Sequence, residues 1–302
     1  MKSLRTLKEL EISEILELLE DARKFKNGMV YKLTDKVIAN LFFEPSTRTQ
    51  NSFNMAELKL DMKVINFNAA MSSLQKGETF YDTIKTFEAI GVDALVIRHS
   101  QDKYYEEISN IKVPIINAGD GVLSHPSQTL LDLFTIYEEF GKFEGLKVMI
   151  VGDIKHSRVA HENIDTMTRL GMKCCVSGAL EFKEDCFNWK DFDEGLQEVD
   201  VVMMLRIQHE RHNEKMQISI SEYLEKYGLT HSRVKKMKPQ AIIMHPAPFN
   251  RGVEIADNVA ECEKSRIFKQ IENGVFIRQA IIKRSLSWFI LWKMQKFMRI
   301  KK

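Results

Sequence analysis

The chain has 302 residues, 44% of them apolar and 28% charged, an ordinary globular composition that is long enough for two domains. Its 44 basic and 42 acidic residues leave a formal charge of +2, which excludes a whole-chain electrostatic footprint for nucleic acid and leaves a small anionic substrate open. Cys174, Cys175, Cys186 and Cys262 show no C-x-x-C spacing and are too few for a disulfide scaffold in a chain this large, so a reducing cytoplasm is expected.

The predicted elements begin with Leu4, Leu7, Leu10, Ile12, Ile15, Leu18 and Leu19, which recur at roughly helical spacing as in an amphipathic helix. The start, Met1-Lys2, is followed by no apolar h-region, so no secretion signal is expected. Strands are expected near residues 36–43, 63–67, 93–98 and 113–117, with helices near 46–60, 79–91 and 102–109 between them. A long helix from Ser127 to Phe140 ends at Gly141, and the run Leu146 to Val151 opens a second strand series. Met172 to Ser177, Val199 to Leu205 and Ala241 to Met244 continue it, with helices near 158–170 and 219–227. This alternation predicts an α/β chain of two domains, each a parallel sheet flanked by helices, without internal repeats.

The most apolar part of the tail, Ser285 to Trp292, is far shorter than the roughly 20 residues a membrane span needs, so none is expected. Residues 283–302 hold seven Lys or Arg, no acid, and the apolar Trp288, Phe289, Ile290, Leu291, Trp292 and Phe297. That pattern fits a plain helical or frayed tail, and also a membrane-surface or partner helix.

In parallel sheets ligands bind beyond the carboxyl ends of the strands, which singles out the segments that follow the predicted strands. After the first strand come Glu44, Pro45, Ser46, Thr47, Arg48 and Thr49, then a helix-like pattern of Phe53, Met55, Ala56, Leu58 and Leu60. A helix N-terminus with hydroxyls binds phosphate through backbone N–H groups and its dipole, and Arg48 adds a planar fork for paired oxygens. Taken alone, an ordinary N-cap with a surface arginine explains the same residues. Arg98 ends another strand of that sheet and His125 opens His-Pro-Ser-Gln, so three donors can converge, and Arg98 and His125 could stabilise a developing oxyanion. In the second half Arg158 and Arg206 each follow an apolar run, with Arg211 close by, which suits a substrate with two carboxylates.

Other chemistries lack their motifs. The segment Gly152-Asp153-Ile154-Lys155 is not G-x-G-x-x-G, and His209-Glu210-Arg211-His212 is not H-E-x-x-H, so neither a dinucleotide nor a metal site is expected. No G-x-S-x-G elbow and no phosphate-binding G-x-x-x-x-G-K-[ST] loop occurs.

Six segments taken in order, FFEPSTRT (42–49), SSLQKGE (72–78), HPSQTLLD (125–132), GDIKHSRVA (152–160), RIQHER (206–211) and HPAPFNRG (245–252), resemble the aspartate/ornithine carbamoyltransferase superfamily, and its aspartate carbamoyltransferase catalytic chains in particular. The resemblance runs over about residues 1–282. It implies a carbamoyl-phosphate domain over 1–134, completed by a C-terminal helix at 268–302 that returns to it, and an aspartate domain over 135–267. Ser46, Thr47, Arg48 and Thr49 would hold the phosphate of carbamoyl phosphate, with Thr49, Arg98 and His125 at its carbonyl oxygen. Gln128 and the backbone of Ala247 and Pro248 would orient the carbamoyl nitrogen, while Arg158, Arg206 and Gln208 would hold L-aspartate.

By the same resemblance, Ser73 and Lys76 sit on a loop that enters the active site of a neighbouring subunit, which makes the functional unit a homotrimer with shared active sites. Glu44 would reach Arg158 and Arg211 to hold a closed state. The implied reaction gives N-carbamoyl-L-aspartate in pyrimidine synthesis and needs no metal or organic cofactor. Whether a regulatory chain or a dihydroorotase joins the trimer is left open. The chain departs from the family at Gln50 and Asn54, where an Arg and a Glu usually stand four residues apart, and in its basic tail. Ornithine carbamoyltransferase is the nearest rival. Its members typically have a cysteine in the segment matching residues 245–248, where this chain has none, and a second amine would be repelled by Lys76, Arg158 and Arg206. A noncatalytic anion-binding protein would require the loss of a key group, and none is missing.

Overall fold

The computed structural model describes residues 2–207 and 219–300, with side chains except at residues 220, 221 and 288–300. The chain divides into two compact units, Met1–Leu130 with Asn273–Lys302, and Leu131–Glu272. The change of unit falls four residues before the expected boundary at 134/135, inside a helix that the sequence reads as continuous.

The first unit contains α1 (Ile12–Lys26), β1 (Val37–Phe42), α2 (Thr47–Lys59), β2 (Lys63–Asn68), α3 (Phe80–Ala89), β3 (Ala94–His99), β4 (Ile115–Asp120) and the start of α4 (Pro126–Phe140). Its parallel sheet has the strand order β2-β1-β3-β4. The inner strands β1 and β3 are the near-continuous apolar runs Val-Ile-Ala-Asn-Leu-Phe and Ala-Leu-Val-Ile, as burial on both faces requires. Edge strand β2 is partly or fully exposed along its whole length. Ala39, Leu41, Ile84, Leu95, Ile97 and Tyr104 form the heart of this core.

The second unit continues with β5 (Lys147–Val151), α5 (Arg158–Arg169), β6 (Lys173–Ser177), α6 (Phe192–Leu196), β7 (Val201–Met204), α7 (Ile220–Tyr227), α8 (His231–Val234) and β8 (Ile242–Met244). Its sheet is also parallel, in the order β6-β5-β7-β8, which repeats the first topology although no repeat is visible in the sequence. The last helix, α9 (Ile267–Ile300), belongs to the first unit from Asn273 onward. There Lys26 donates to Asn273 Oδ1 at 2.7 Å and Arg284 donates to Glu14 at 3.0 Å, so α9 is tied to α1 along its length.

Two expected helices differ. The N-terminal pattern does not form one helix from Leu4. The Leu4 N–H donates to Ile115 O and its carbonyl accepts from Asn117 N, both at 2.8 Å, so the chain start lies along β4 and α1 begins only at Ile12. Residues 102–109 hold no more than the 3-10 turn Tyr104–Glu106. Asp102 Oδ1 accepts from Val122 N (2.8 Å), and Lys103, at φ +51°, donates its N–H to Asp120 Oδ2 (3.1 Å). These bonds draw the segment toward the loop after β4 and take it out of helical geometry.

A buried polar cluster underlies α2. Asn40 Nδ2 in β1 donates to Glu57 Oε2 at 2.8 Å and Asn54 Oδ1 at 2.9 Å, with Asn66 Oδ1 at 3.3 Å. Glu57 is completely buried, and desolvation raises its carboxyl from the ordinary 4.5 to about 7, opposed only by the Asn40 hydrogen bond. A folded-state value above the unfolded one means that Glu57 contributes stability below pH 4.5 that is lost as pH rises through about 7. The shift corresponds to about 3 kcal/mol. Glu57→Gln keeps an acceptor for Asn40 and should therefore raise the thermal midpoint at pH 8, with little change at pH 4. An unchanged or lower midpoint at pH 8 would contradict this reading.

Candidate functional site

The carboxyl ends of β1 and β3 lie side by side, because Phe42 is in register with Arg98 and the Phe43 N–H donates to Arg98 O at 2.9 Å. The chain leaves β1 through Glu44 and Pro45 and enters α2 with Ser46 in extended geometry as its N-cap. Ser46 makes no side-chain capping bond, so its hydroxyl is not committed to the helix end. Thr47 and Arg48 are exposed, and Thr49, one residue on, is buried. A helix start with outward hydroxyls, a guanidinium and first-turn N–H groups is suited to a phosphate-sized anion.

Two pairs tie the expected residues together. Thr49 Oγ1 lies 3.5 Å from His125 Nε2, with both side chains buried. Arg98 Nε donates to Glu44 Oε1 at 2.6 Å, and both of these side chains are 15% exposed. Glu44 is thus bonded to Arg98 of its own unit. Arg211 and Gln208 lie outside the described residues.

Residues that sequence reasoning missed position these groups. The turn before His125 is held at Gly121, φ +33°, where a Cβ would stand 1.7 Å from Asp102 Oδ1, so no other residue fits without displacing that carboxylate. Pro126 then starts α4, and Gln128 and Thr129 both donate their N–H to His125 O, at 2.8 and 3.1 Å. Arg278 of α9 is buried with its guanidinium 5.0 Å from the Phe53 ring of α2, and it donates to Ser127 Oγ at 3.4 Å and Gly274 O at 2.9 Å. It therefore links the helix that carries Thr49 to the helix that carries Gln128. An arginine within the apolar stretch Val275-Phe276-Ile277-Arg278-Gln279-Ala280-Ile281-Ile282 is the signal that could have found it.

Ser73 and Lys76 lie on the exposed 3-10 turn Ser73–Lys76 that follows edge strand β2 and closes at Gly77, φ +90°. No hydrogen bond joins either residue to Thr49, Arg98 or His125.

In the second unit the same logic recurs. Leu205 N donates to Val151 O at 2.7 Å, joining the ends of β5 and β7. Gly152, at φ +134°, is so close to the next strand end that a Cβ would stand 2.9 Å from Leu205 O. From that turn Ser157 caps α5 by accepting from Ala160 N at 3.2 Å, and Arg158 is the first helical residue, nearly buried. Arg206 follows β7 and is half-buried. After β8, Ala247 has φ +51° and donates its N–H to His245 Nδ1 at 2.9 Å, ahead of Pro248. Among the described residues no group of three His, Cys, Asp or Glu is arranged to hold a metal.

The sequence profile of the aspartate/ornithine carbamoyltransferase carbamoyl-P binding domain matches residues 2–138, and that of the Asp/Orn binding domain matches residues 144–284. Among solved structures the chain is similar to aspartate transcarbamoylase from Trypanosoma cruzi in complex with carbamoyl phosphate, at 30% identity and a TM-score of 0.83 over 93% of this chain and 94% of that one. The same enzyme in complex with N-(phosphonacetyl)-L-aspartic acid matches at 31% identity and a TM-score of 0.81, over 93% and 94% of the two chains. The catalytic subunit of M. jannaschii aspartate transcarbamoylase matches at 32% identity and a TM-score of 0.84, over 95% of this chain and 98% of that one. With both profiles matched in order and the strand-end residues arranged as above, the chain belongs to the aspartate/ornithine carbamoyltransferase family.

Proposed function

We propose that the chain catalyses the aspartate carbamoyltransferase reaction, moving the carbamoyl group of carbamoyl phosphate to the amine of L-aspartate to give N-carbamoyl-L-aspartate and phosphate, as in de novo pyrimidine synthesis. The observation that carries the choice of aspartate is the likeness, over 93% of the chain, to an enzyme solved with carbamoyl phosphate and aspartate together. The missing cysteine in residues 245–248 and the cationic Lys76, Arg158 and Arg206 favour a dicarboxylate over a diamine as well.

In this reading Ser46, Thr47, Arg48 and Thr49 cradle the phosphate of the first substrate. Thr49, Arg98 and His125 meet its carbonyl oxygen, while Gln128 and the Ala247–Pro248 backbone meet its nitrogen. Arg158, Arg206 and Gln208 take the two carboxylates of aspartate, with Lys76 contributed by a neighbouring copy. The deprotonated amine attacks the carbamoyl carbon, a C–N bond forms, and the oxyanion is stabilised by the fixed donors. The C–O bond to phosphate then breaks, phosphate leaves with the bonding electron pair, and the attacking nitrogen gives up its extra proton to the departing phosphate. Positioning of two bound substrates can supply on the order of 7 to 11 kcal/mol of the barrier reduction, and each oxyanion donor about 3 to 4 kcal/mol. Glu44 and Arg211 are assigned to closure of the substrate-bound state.

A homotrimer with shared sites belongs to the same proposal. What supports it is that the exposed turn carrying Ser73 and Lys76 is preceded by Met71, an apolar side chain 85% exposed. Cytoplasmic residence is proposed on the four unbridged cysteines. Among the described residues no helix is long and apolar enough to cross a membrane.

Incubation with carbamoyl phosphate and either aspartate or ornithine should give carbamoylated product with aspartate alone; product with ornithine alone would reverse the choice of substrate. Arg48→Ala should lower turnover on the order of 100-fold to 1,000-fold at an unchanged thermal midpoint. Near-normal kinetics in that variant would remove Arg48 from the site. Lys76→Ala and His125→Ala chains, each inactive, should regain activity when mixed, and verified mixed oligomers without activity would refute shared sites.

A further inference from the structure

The turn after β8 is held by more buried polar chemistry than a four-residue connection requires. His245 accepts the Ala247 N–H on Nδ1 at 2.9 Å, which demands a lone pair there and leaves the ring proton on Nε2. That nitrogen lies 3.5 Å from Glu254 Oε1, with both side chains at zero exposure. The same Glu254 oxygen accepts from Asn250 N at 2.5 Å, so one carboxylate holds the far end of the 245–250 turn and lies against the imidazole at its near end. On the other side the His245 backbone N–H donates to Gln270 Oε1 at 2.9 Å, and Gln270 Nε2 in turn donates to Asp132 Oδ1 at 2.8 Å. Between these anchors sits Ala247 at φ +51°, a left-handed conformation that an L-residue other than glycine, asparagine or aspartate seldom adopts. Strain of this kind persists where surrounding bonds over-determine it, and it concentrates at functional sites.

We propose that Glu254 and His245 are positioning residues for carbamoyl phosphate: the carboxylate orients the imidazole, and the imidazole holds Ala247 in its left-handed conformation so that the 247–248 backbone meets the carbamoyl nitrogen. This rests on the function proposed above. Neither side chain touches substrate. Their part is to keep the backbone that does from relaxing to the conformation alanine prefers.

Two substitutions separate the brace from simple packing. In His245→Asn the side-chain amide places an acceptor where Nδ1 stood, whereas in His245→Gln the polar atoms reach the place of Nε2 and the Ala247 N–H loses its acceptor. Steady-state kinetics with carbamoyl phosphate and aspartate, and inhibition by inorganic phosphate, are measured for both, with thermal midpoints as a check on folding. His245→Gln should lose on the order of 100-fold in kcat/KM for carbamoyl phosphate, while its inhibition constant for inorganic phosphate stays that of the wild type. His245→Asn should stay within a few-fold of wild type, and adding Ala247→Gly to His245→Gln should recover part of the loss, since glycine adopts positive φ without a brace. Should the Gln variant fail to fold, Glu254→Gln replaces it, with a smaller loss in the same direction. Wild-type kinetics in His245→Gln would overturn the proposal, as would equal losses in the Asn and Gln variants with phosphate inhibition weakening in step. A wild-type chain that makes no carbamoylated aspartate would overturn the proposed reaction and the brace with it, a result distinct from variants as active as an active wild type.

Discussion

The position at which each sheet reverses its order governs the rest of the molecule. In the order β2-β1-β3-β4 the chain moves from β1 to β2 on one side and then crosses β1 to place β3 and β4 on the other, and β6-β5-β7-β8 repeats this. The loops that leave the two diverging strands therefore rise next to one another at the carboxyl edge, where open α/β sheets bind their ligands. In the first unit these loops bring Glu44 to Arg98. In the second they press Gly152 against Leu205, immediately before Arg158 and Arg206. The placing of cationic residues at the strand ends of each unit is thus a consequence of topology.

Topology brings the groups near, and buried polar contacts then set their aim. A guanidinium only 15% exposed is costly to desolvate unless it is paired, and Glu44 provides the pairing at 2.6 Å for Arg98. In the proposed reaction a developing oxyanion would compete with Glu44 for the same charge. Thr49 and His125 are held differently, through helix starts: α2 carries the first, α4 the second, and Arg278 fastens the two from α9. This explains why a chain segment near the end of the sequence is needed to complete a unit formed mainly by its beginning. Without α9, the start of α4 would keep its Thr49–His125 contact with α2 and lose the link through Arg278.

Much of this was legible in the sequence, for physical reasons that can be named. Buried parallel strands must be apolar on both faces, so runs such as Leu41-Phe42-Phe43 and Val148-Met149-Ile150-Val151 read directly as strands. Polar residues directly after such runs then identify the ligand edge. What could not be read is whatever depends on a partner distant in sequence. Leu4 continues the helical spacing of the residues after it, yet its backbone pairs with Ile115 and Asn117, more than a hundred residues away. Asp102 and Lys103 resemble a helix start, and a loop near residue 121 claims them. Arg278 and Glu254 look like isolated charges in apolar surroundings, and only the folded chain gives each its purpose.

The same distance dependence bears on the family departure at Gln50 and Asn54. An Arg and a Glu at these positions would form a helical surface pair, worth only a few tenths of a kcal/mol and weakened by salt. Here Asn54 instead accepts from Asn40 of β1, and Glu57, one helical turn further along the same face, accepts from the same amide. Helix α2 is therefore fastened to the strand beneath it by hydrogen bonds made in its second half. The acid has not vanished from the helix but reappears where desolvation holds it neutral up to about pH 7. Protonation of Glu57 thus favours the folded state, and a single amide, that of Asn40, joins this acid and Asn54 to the strand beneath the helix.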